Sequence, residues 1–217
     1  MKQLLATIVI CAAGLASSAQ DTRFGFTAGA AFANYHSKVD GETDNGNGKT
    51  GITAGLLADI PFGKSFSFQP ALNFVQKGTQ EEETFMGVTE KTKLTVNCFE
   101  LPLNLLYNAN SNSGTFFIGG GPSFSFALSG KWKYEDGTNS LTEDVQFGDD
   151  PDNDDLKSFE VGVNALTGYR FPNGLFIAAG YNAGLTNLFP GGSDDGTLKS
   201  HYFSVKLGWL LKGKNNK

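Results

Sequence analysis

Residues 199–211 read Lys-Ser-His-Tyr-Phe-Ser-Val-Lys-Leu-Gly-Trp-Leu-Leu. In an extended chain Phe203, Val205, Leu207, Trp209 and Leu211 share one face, and Ser204, Lys206 and Gly208 share the other. Successive side chains of a strand point to opposite faces, so this period of two predicts a strand between unlike environments. The pattern recurs upstream. Over 23–34, Phe24, Phe26, Ala28, Ala30 and Phe32 oppose Arg23, Gly25, Thr27, Gly29 and Ala31. Over 50–62, Ile52, Ala54, Leu56, Ala58, Ile60 and Phe62 oppose Thr53, Gly55, Leu57 and Asp59, and over 65–77, Phe66, Phe68, Leu72 and Phe74 oppose Ser65, Ser67, Gln69, Asn73 and Lys77. Further candidates at 92–107, 115–131, 157–170 and 175–187 bring the total to eight strands. In the fourth, a change of register near Asn97-Cys98 suggests a bulge or an extension beyond the buried region.

The connectors order these strands. The links at 61–64 and 171–174 are four residues long and that at 108–114 is seven, all rich in the Gly, Asn, Pro and Ser that turns require. The alternate links, 36–49, 79–91, 132–156 and 188–198, run from eleven to twenty-five residues. Strict alternation of short and long places all short turns at one end of an up-and-down antiparallel barrel and all long loops at the other. The four long links hold 18 Asp and Glu against four Lys, so the long-loop end is strongly acidic.

Composition narrows the class. Of 217 residues, 28 are Gly and 19 Phe, 18% are charged, and no Gly-X-Y period makes the chain collagen-like. Beyond residue 19 no apolar run approaches the roughly 18 residues of a spanning helix. Two Cys and two His exclude a disulfide scaffold, a Cys-based zinc site and most metalloenzyme constellations. The first 19 residues read as an export signal: Lys2 is the charged start, Leu4 to Leu15 the apolar core, and Ser17-Ser18-Ala19 the small residues before cleavage. Cys11 lies inside that core behind bulky Ile10, which argues against lipid attachment. Loss of Lys2 takes the net charge from -5 to -6. The expected division is therefore a cleaved signal at 1–19, a barrel at 20–212 and a short basic tail at 213–217.

The faces decide between water and lipid outside. A soluble barrel carries its apolar residues inside; a membrane barrel inverts this. The polar faces are dominated by Gly, Ser, Ala, Thr and Asn with few charges, which suits a crowded lumen better than a solvated exterior. Aromatics gather near the predicted strand ends, Phe24, Phe62, Phe66, Tyr107, Phe171 and Trp209 on the short-turn side and Tyr35, Phe74, Trp132, Phe159 and Phe203 on the other, as two interfacial girdles would. The expected fold is an all-β, eight-stranded antiparallel up-and-down transmembrane β-barrel with short periplasmic turns and long extracellular loops, in the outer membrane of a Gram-negative bacterium.

Three segments resemble a known family. Phe99-Glu-Leu-Pro-Leu-Asn-Leu-Leu-Tyr107, Gly119-Gly-Gly-Pro-Ser123 and Tyr181-Asn-Ala-Gly-Leu-Thr-Asn187 are similar to recurrent motifs of the PorT-like outer-membrane β-barrel proteins of Bacteroidetes, and the Ala19-Gln20 junction is similar to their usual cleavage site. The resemblance spans essentially the whole mature chain. It implies an eight-stranded outer-membrane barrel. It does not imply one role, since a few members are tied to protein secretion and most have no known function. The chain departs from the common outer-membrane ending, because Lys-Gly-Lys-Asn-Asn-Lys follows the last strand instead of an aromatic terminus.

An eight-stranded barrel is just wide enough for side chains to fill. Alternation puts Arg23, Asp59 and Arg170 toward the periplasmic end of the lumen, Glu100, Asn164 and Lys206 near its middle, and Glu160 on the same inward face. Unpaired charges there cost several kcal/mol each, so a paired polar plug is expected, not an open pore. A gated ion path is the alternative. In the loop 149–155, Asp150, Asp152 and Asp154 alternate like the start of a calcium loop, but the Gly at the sixth position is missing and Val161 stands where the bidentate Glu belongs. An EF-hand is excluded. A loose divalent site bridging lipid-A phosphates is the weaker reading beside a solvated acidic loop. Lipid-A deacylation or acyl transfer needs a Ser or Thr beside a His base. Ser200 points away from His201, Ser204 lies a strand-step off, and no Gly-x-Ser-x-Gly elbow exists. A hydrophobic ligand in the barrel mouth is a further alternative. The acidic balance disfavours nucleic acid, and no residue pattern requires a cofactor. The reading is a structural or interaction barrel acting through its acidic extracellular loops, in contact with outer-membrane lipids and lipopolysaccharide. A protein partner would dock at the loops.

Overall fold

The computed structural model describes residues 22–39, 42–85, 88–136, 139–192 and 196–211. The expected signal at 1–19 and tail at 213–217 lie outside them. Ten strands form one antiparallel sheet: β1 (Arg23–Val39), β2 (Glu42–Asn45), β3 (Asn47–Phe62), β4 (Phe66–Phe85), β5 (Val88–Ser111), β6 (Gly114–Asp136), β7 (Asn139–Asp144), β8 (Phe159–Arg170), β9 (Leu175–Gly184) and β10 (Thr197–Leu210). Eight of them run β1-β3-β4-β5-β6-β8-β9-β10, and β10 returns to pair with β1 from Gly25–Leu210 to Lys38–Thr197, closing the ring. The short turns all lie at one end. The β8–β9 turn bends at Gly174, whose φ of 90° suits a residue without Cβ.

The wall is apolar outside and polar inside. Phe26, Ile52, Leu56, Leu72, Leu105, Ile118 and Leu207 are exposed on the outer face, while Gln69, Asn73, Asn104, Ser123, Asn182 and Ser204 are buried within. That inversion stabilises a barrel only where hydrocarbon replaces water at its outer surface. Phe62 stacks on Phe66, which meets Tyr107 edge-on, at the short-turn end, and Phe32 packs on Phe203 toward the other. Two members of the expected upper girdle do not face lipid. Tyr35 is buried in the lumen and Trp132 packs on the same inner cluster.

Two features depart from the sequence reading. The register does shift at Asn97-Cys98, but the extra residue belongs to the partner strand: Asn97 faces Ser129 and Cys98 faces Ala127, leaving Leu128 over. Within β5 the inward parity runs unbroken through Leu94, Val96, Cys98 and Glu100. The apolar pair Leu94 and Val96 therefore points into the lumen.

The second departure concerns the long links. Much of 36–49, 79–91 and 132–156 continues the ladder instead of looping: β4 pairs with β5 as far as Phe85–Val88, and β6 carries on to Asp136 before β7 folds back along it. A transmembrane strand needs about 9–11 residues, whereas β5 has 24. The excess rises from the membrane as a four-stranded blade made of the distal parts of β4, β5 and β6 with β7. Cross-strand ion pairs hold it, Lys91 to Glu82 at 2.7 Å and Lys93 to Glu135 at 2.8 Å. Such pairs each contribute only a few tenths of a kcal/mol when exposed, so the continuous backbone ladder does most of the ordering. The segments 145–158 and 185–192 remain irregular and fold over the mouth.

Candidate functional site

The lumen is filled at three levels. At the extracellular end, Val145 and Leu156 from the segment after β7, with Leu188 from the segment after β9, pack on Tyr35, Leu94, Val96 and Cys98. Backbone bonds lock this cap: Lys157 N–H donates to Leu188 O at 2.9 Å, Leu188 N–H to Leu198 O at 2.8 Å, and Val145 N–H to Gly130 O at 3.0 Å. Burying each such side chain stabilises by roughly 1.5–3 kcal/mol, enough to keep the cap seated.

Beneath it lies a charged centre. Lys77, 1% exposed, points from β4 to Glu160 of β8 at 2.7 Å and to Glu100 of β5 at 3.9 Å. Its Nζ also donates to Ser125 Oγ at 3.3 Å and Ser200 Oγ at 3.2 Å, and sits 5.5 Å from the centre of the Tyr202 ring. Ser200 Oγ donates to Glu160 at 2.7 Å, Ser125 Oγ to Glu100 at 3.2 Å, and Tyr202 Oη to Glu100 at 2.5 Å. One ammonium and two carboxylates from β4, β5 and β8, with hydroxyls from β6 and β10, thus share a closed hydrogen-bonded set. Below it, Glu100, Asn73, Asn104, Asn164, Asn182 and Lys206 line a cavity of about 60 Å³. Its wall mixes these polar groups with Leu57, Phe117 and Phe176, and its volume exceeds the roughly 10–15 Å³ that one water needs. Lys206 adds the second cation, so the charges of the central lumen balance. Asn164 Nδ2 donates to Gly121 O at 3.2 Å.

The lowest level begins with an apolar collar, Leu57, Leu106, Phe117, Phe176 and Leu210. At the periplasmic mouth Asp59, fully buried, accepts from Arg23 Nη2 at 2.5 Å and Arg170 Nη1 at 3.4 Å through the same oxygen, Oδ2. The inward residues named from alternation fall into two groups: Arg23, Asp59 and Arg170 come together at the mouth, and Glu100 and Glu160 in the centre. Lys206 and Asn164 line the cavity between these groups. Missing from that group were the partners. Alternation gives Lys77 an inward face without joining it to the cluster, and Tyr202 lies outside the residues it names. The parity of Ser204 and Lys206, carried two steps back along β10, points to Tyr202 and Ser200.

Outside the lumen, Asp150 and Asp154 serve their own loop. Asp150 N–H donates to Asp154 Oδ2 at 2.9 Å, and Asp152 N–H to Asp150 Oδ1 at 3.1 Å. Bonds from the Asn153 side chain and the Asp152 backbone hold the Asp150 carboxyl below its usual range. Lys157, with the Gly191 backbone, does the same for Asp149. Among the described residues no three His, Cys, Asp or Glu side chains converge as metal ligands. His201 faces outward beside Tyr181, whereas Ser200 and Ser204 are buried on the inner face. Neither of these serines shares a face with that imidazole.

The family profile for the outer membrane protein beta-barrel domain matches residues 18–190. No curated protein matches the sequence. Among solved structures the chain is similar to Ail, the attachment invasion locus protein of Yersinia pestis, solved with the heparin analogue sucrose octasulfate, at 13% identity over 88% of this chain and 99% of that one, TM-score 0.41. It is similar also to Neisserial surface protein A, at 13% identity over 87% and 97% of the two chains, TM-score 0.43. The profile match takes in most of the described barrel, and with a closed eight-stranded ring, a lipid-facing apolar wall and a polar interior the chain belongs to the outer membrane protein beta-barrel domain family and resides in the outer membrane.

Proposed function

We propose that this protein is a non-conducting interaction barrel of the PorT-like kind, exported by a signal at 1–19 that is removed and working through its acidic extracellular surface. The observation that carries this reading is the contrast between a lumen obstructed at three levels and an exterior extended into a blade. Side chains, not solvent, occupy the path across the wall: the Val145, Leu156 and Leu188 cap, the Lys77 centre and the apolar collar. The long links carry 18 acids against four Lys, so the partner chemistry they favour is a basic protein surface. The apolar outer band is solvated by lipid and lipopolysaccharide acyl chains. Catalysis has no support in the paired geometry of Ser and His. The cap fills the mouth that a hydrophobic ligand would need. The secretion-associated role implied by the PorT-like resemblance remains the second reading; the blade would then be a docking surface within a larger assembly.

Planar-bilayer recording of the refolded protein tests the closed lumen. The expected record is flat, and reproducible ohmic steps would overturn it. Binding of a cationic peptide to barrels in neutral vesicles tests the acidic surface. It should weaken with salt and with Glu82→Lys plus Glu143→Lys. Dependence of secreted cargo on this chain would select the secretion role.

A further inference from the structure

We propose that the periplasmic mouth is a binding site for an oxyanion, a phosphate or carboxylate group held between Arg23 and Arg170. The two guanidinium groups converge on one carboxylate. Both reach Asp59 Oδ2, so the two contacting nitrogens lie within about 6 Å of each other. That leaves the mouth with one uncompensated positive charge. Among the described residues no other carboxylate pairs with either arginine.

The hydrogen-bond account is equally unbalanced. A guanidinium carries several donors in a planar fork, and each of these two makes a single hydrogen bond to protein among the described residues. Arg23 Nε is buried without a partner, and so is Asp59 Oδ1. A buried polar group left unmatched costs about 1–3 kcal/mol, and a ligand with its own acceptors would relieve the Arg23 donor, whereas Asp59 Oδ1 calls for a donor instead. The Arg170 side chain is 9% exposed and cannot swing into solvent to satisfy itself.

The space matches that demand. Arg23 and Arg170 line a cup of about 310 Å³ that opens at the short-turn end, bounded by Asn112, Thr115 and Leu211. Its rim is fixed: Thr115 Oγ1 donates to Asn110 Oδ1 at 2.9 Å, and Asn110 Nδ2 to Lys64 O at 3.3 Å. Two guanidinium forks at this separation accept a tetrahedral phosphate or a planar carboxylate with charge-assisted bonds to both. Above the cup the apolar collar of Leu57, Phe117 and Phe176 blocks passage into the lumen. The cup is a terminal site and not the entrance to a channel, so it can tether a periplasmic anion to the inner rim of the barrel.

Calorimetry of the full barrel in a phosphate-free zwitterionic detergent tests this, with inorganic phosphate and acetate titrated separately. Saturable one-to-one uptake of at least one of them is expected, weakened by about tenfold or more in Arg170→Gln and in Arg23→Gln. Uptake of acetate alone identifies a carboxylate-bearing periplasmic peptide as the ligand class; uptake of phosphate identifies a phosphoryl group. Micelles doped with phosphatidic acid compete with phosphate only if a lipid headgroup reaches the cup, and lack of competition assigns free phosphate. Each variant must retain the heat-dependent gel shift of a folded barrel. If Arg170→Gln fails to fold, Arg23→Gln carries the comparison, since that side chain is already part-exposed. No saturable uptake of either anion, or uptake unchanged in the folded variants, overturns the proposal.

Discussion

Replacing Lys77 by Met removes the ammonium around which the central lumen is organised. At an effective dielectric near 20, a charge 2.7 Å from Glu160 is attracted by about 6 kcal/mol and one 3.9 Å from Glu100 by about 4 kcal/mol. Against this, the variant no longer desolvates an ammonium, which returns several kcal/mol. It also strands two buried carboxylates, 1% and 6% exposed, whose remaining protein donors are Ser125, Ser200 and Tyr202. The net loss expected for breaking such a set is about 3–5 kcal/mol. Reversible urea unfolding of the barrel in lipid, followed by tryptophan fluorescence, measures it. Adding Glu160→Gln to Lys77→Met should restore part of the loss, because one stranded charge disappears, and the double-mutant cycle should give a coupling of 1 kcal/mol or more. A loss below about 1 kcal/mol in Lys77→Met, with additive behaviour in the cycle, would refute the view that this ion set holds β4, β5, β8 and β10 in register.

Three further outcomes follow from the geometry. Glu135 on the blade accepts bonds from Lys133 and Lys93, which hold its carboxyl down to about 2. This contact should contribute fully above the ordinary Glu range near 4.3 and be lost only as pH falls through about 2; a carboxyl chemical-shift titration with a midpoint above 4 would contradict it. At Gly29 an added Cβ would run into Val205 O across the closing seam, so Gly29→Val should shrink the fraction of folded barrel on unboiled gels, and full folding would argue against a tight β1–β10 seam. The Cys98 thiol lies under the cap, so a polar maleimide should spare it in the folded barrel and label it faster in Leu156→Ala; equal rates would mean that the cap does not shield it.

The barrel was readable because its signal is local. Alternation along β1 or β10 needs no knowledge of any other strand, and the contrast of short and long links orders the ring. Where the two faces lose contrast, the reading stops early: Thr89, Glu90 and Lys91 are polar at every step, so nothing in that run distinguishes a strand from a loop, and the blade is not legible. Leu94 and Val96 misled differently. Apolar residues in a membrane barrel are expected outward, but here a cap supplied from residues some fifty to ninety positions downstream gives them an apolar lumen to face. Partners across the lumen were the least accessible. The parity of Lys77, Glu100 and Glu160 follows from each strand alone, while their meeting depends on the stagger between strands far apart in sequence.

The blade has one more property. Its flanks are strands that nothing covers among the described residues: β7, fully exposed, on one side and the distal part of β4, beyond its last pairing with β3 at Gln80, on the other. Bare flanks of this kind invite the next molecule to add a strand. Here they carry Glu81 and Glu82 on β4 and Glu143 and Asp144 on β7. In a crowded membrane, where identical barrels collide side by side with their blades held at the same height, like charges would meet along that shared line. The copies would remain a two-dimensional fluid of separate molecules and not zip into a fibre, leaving each blade free for a partner of opposite charge.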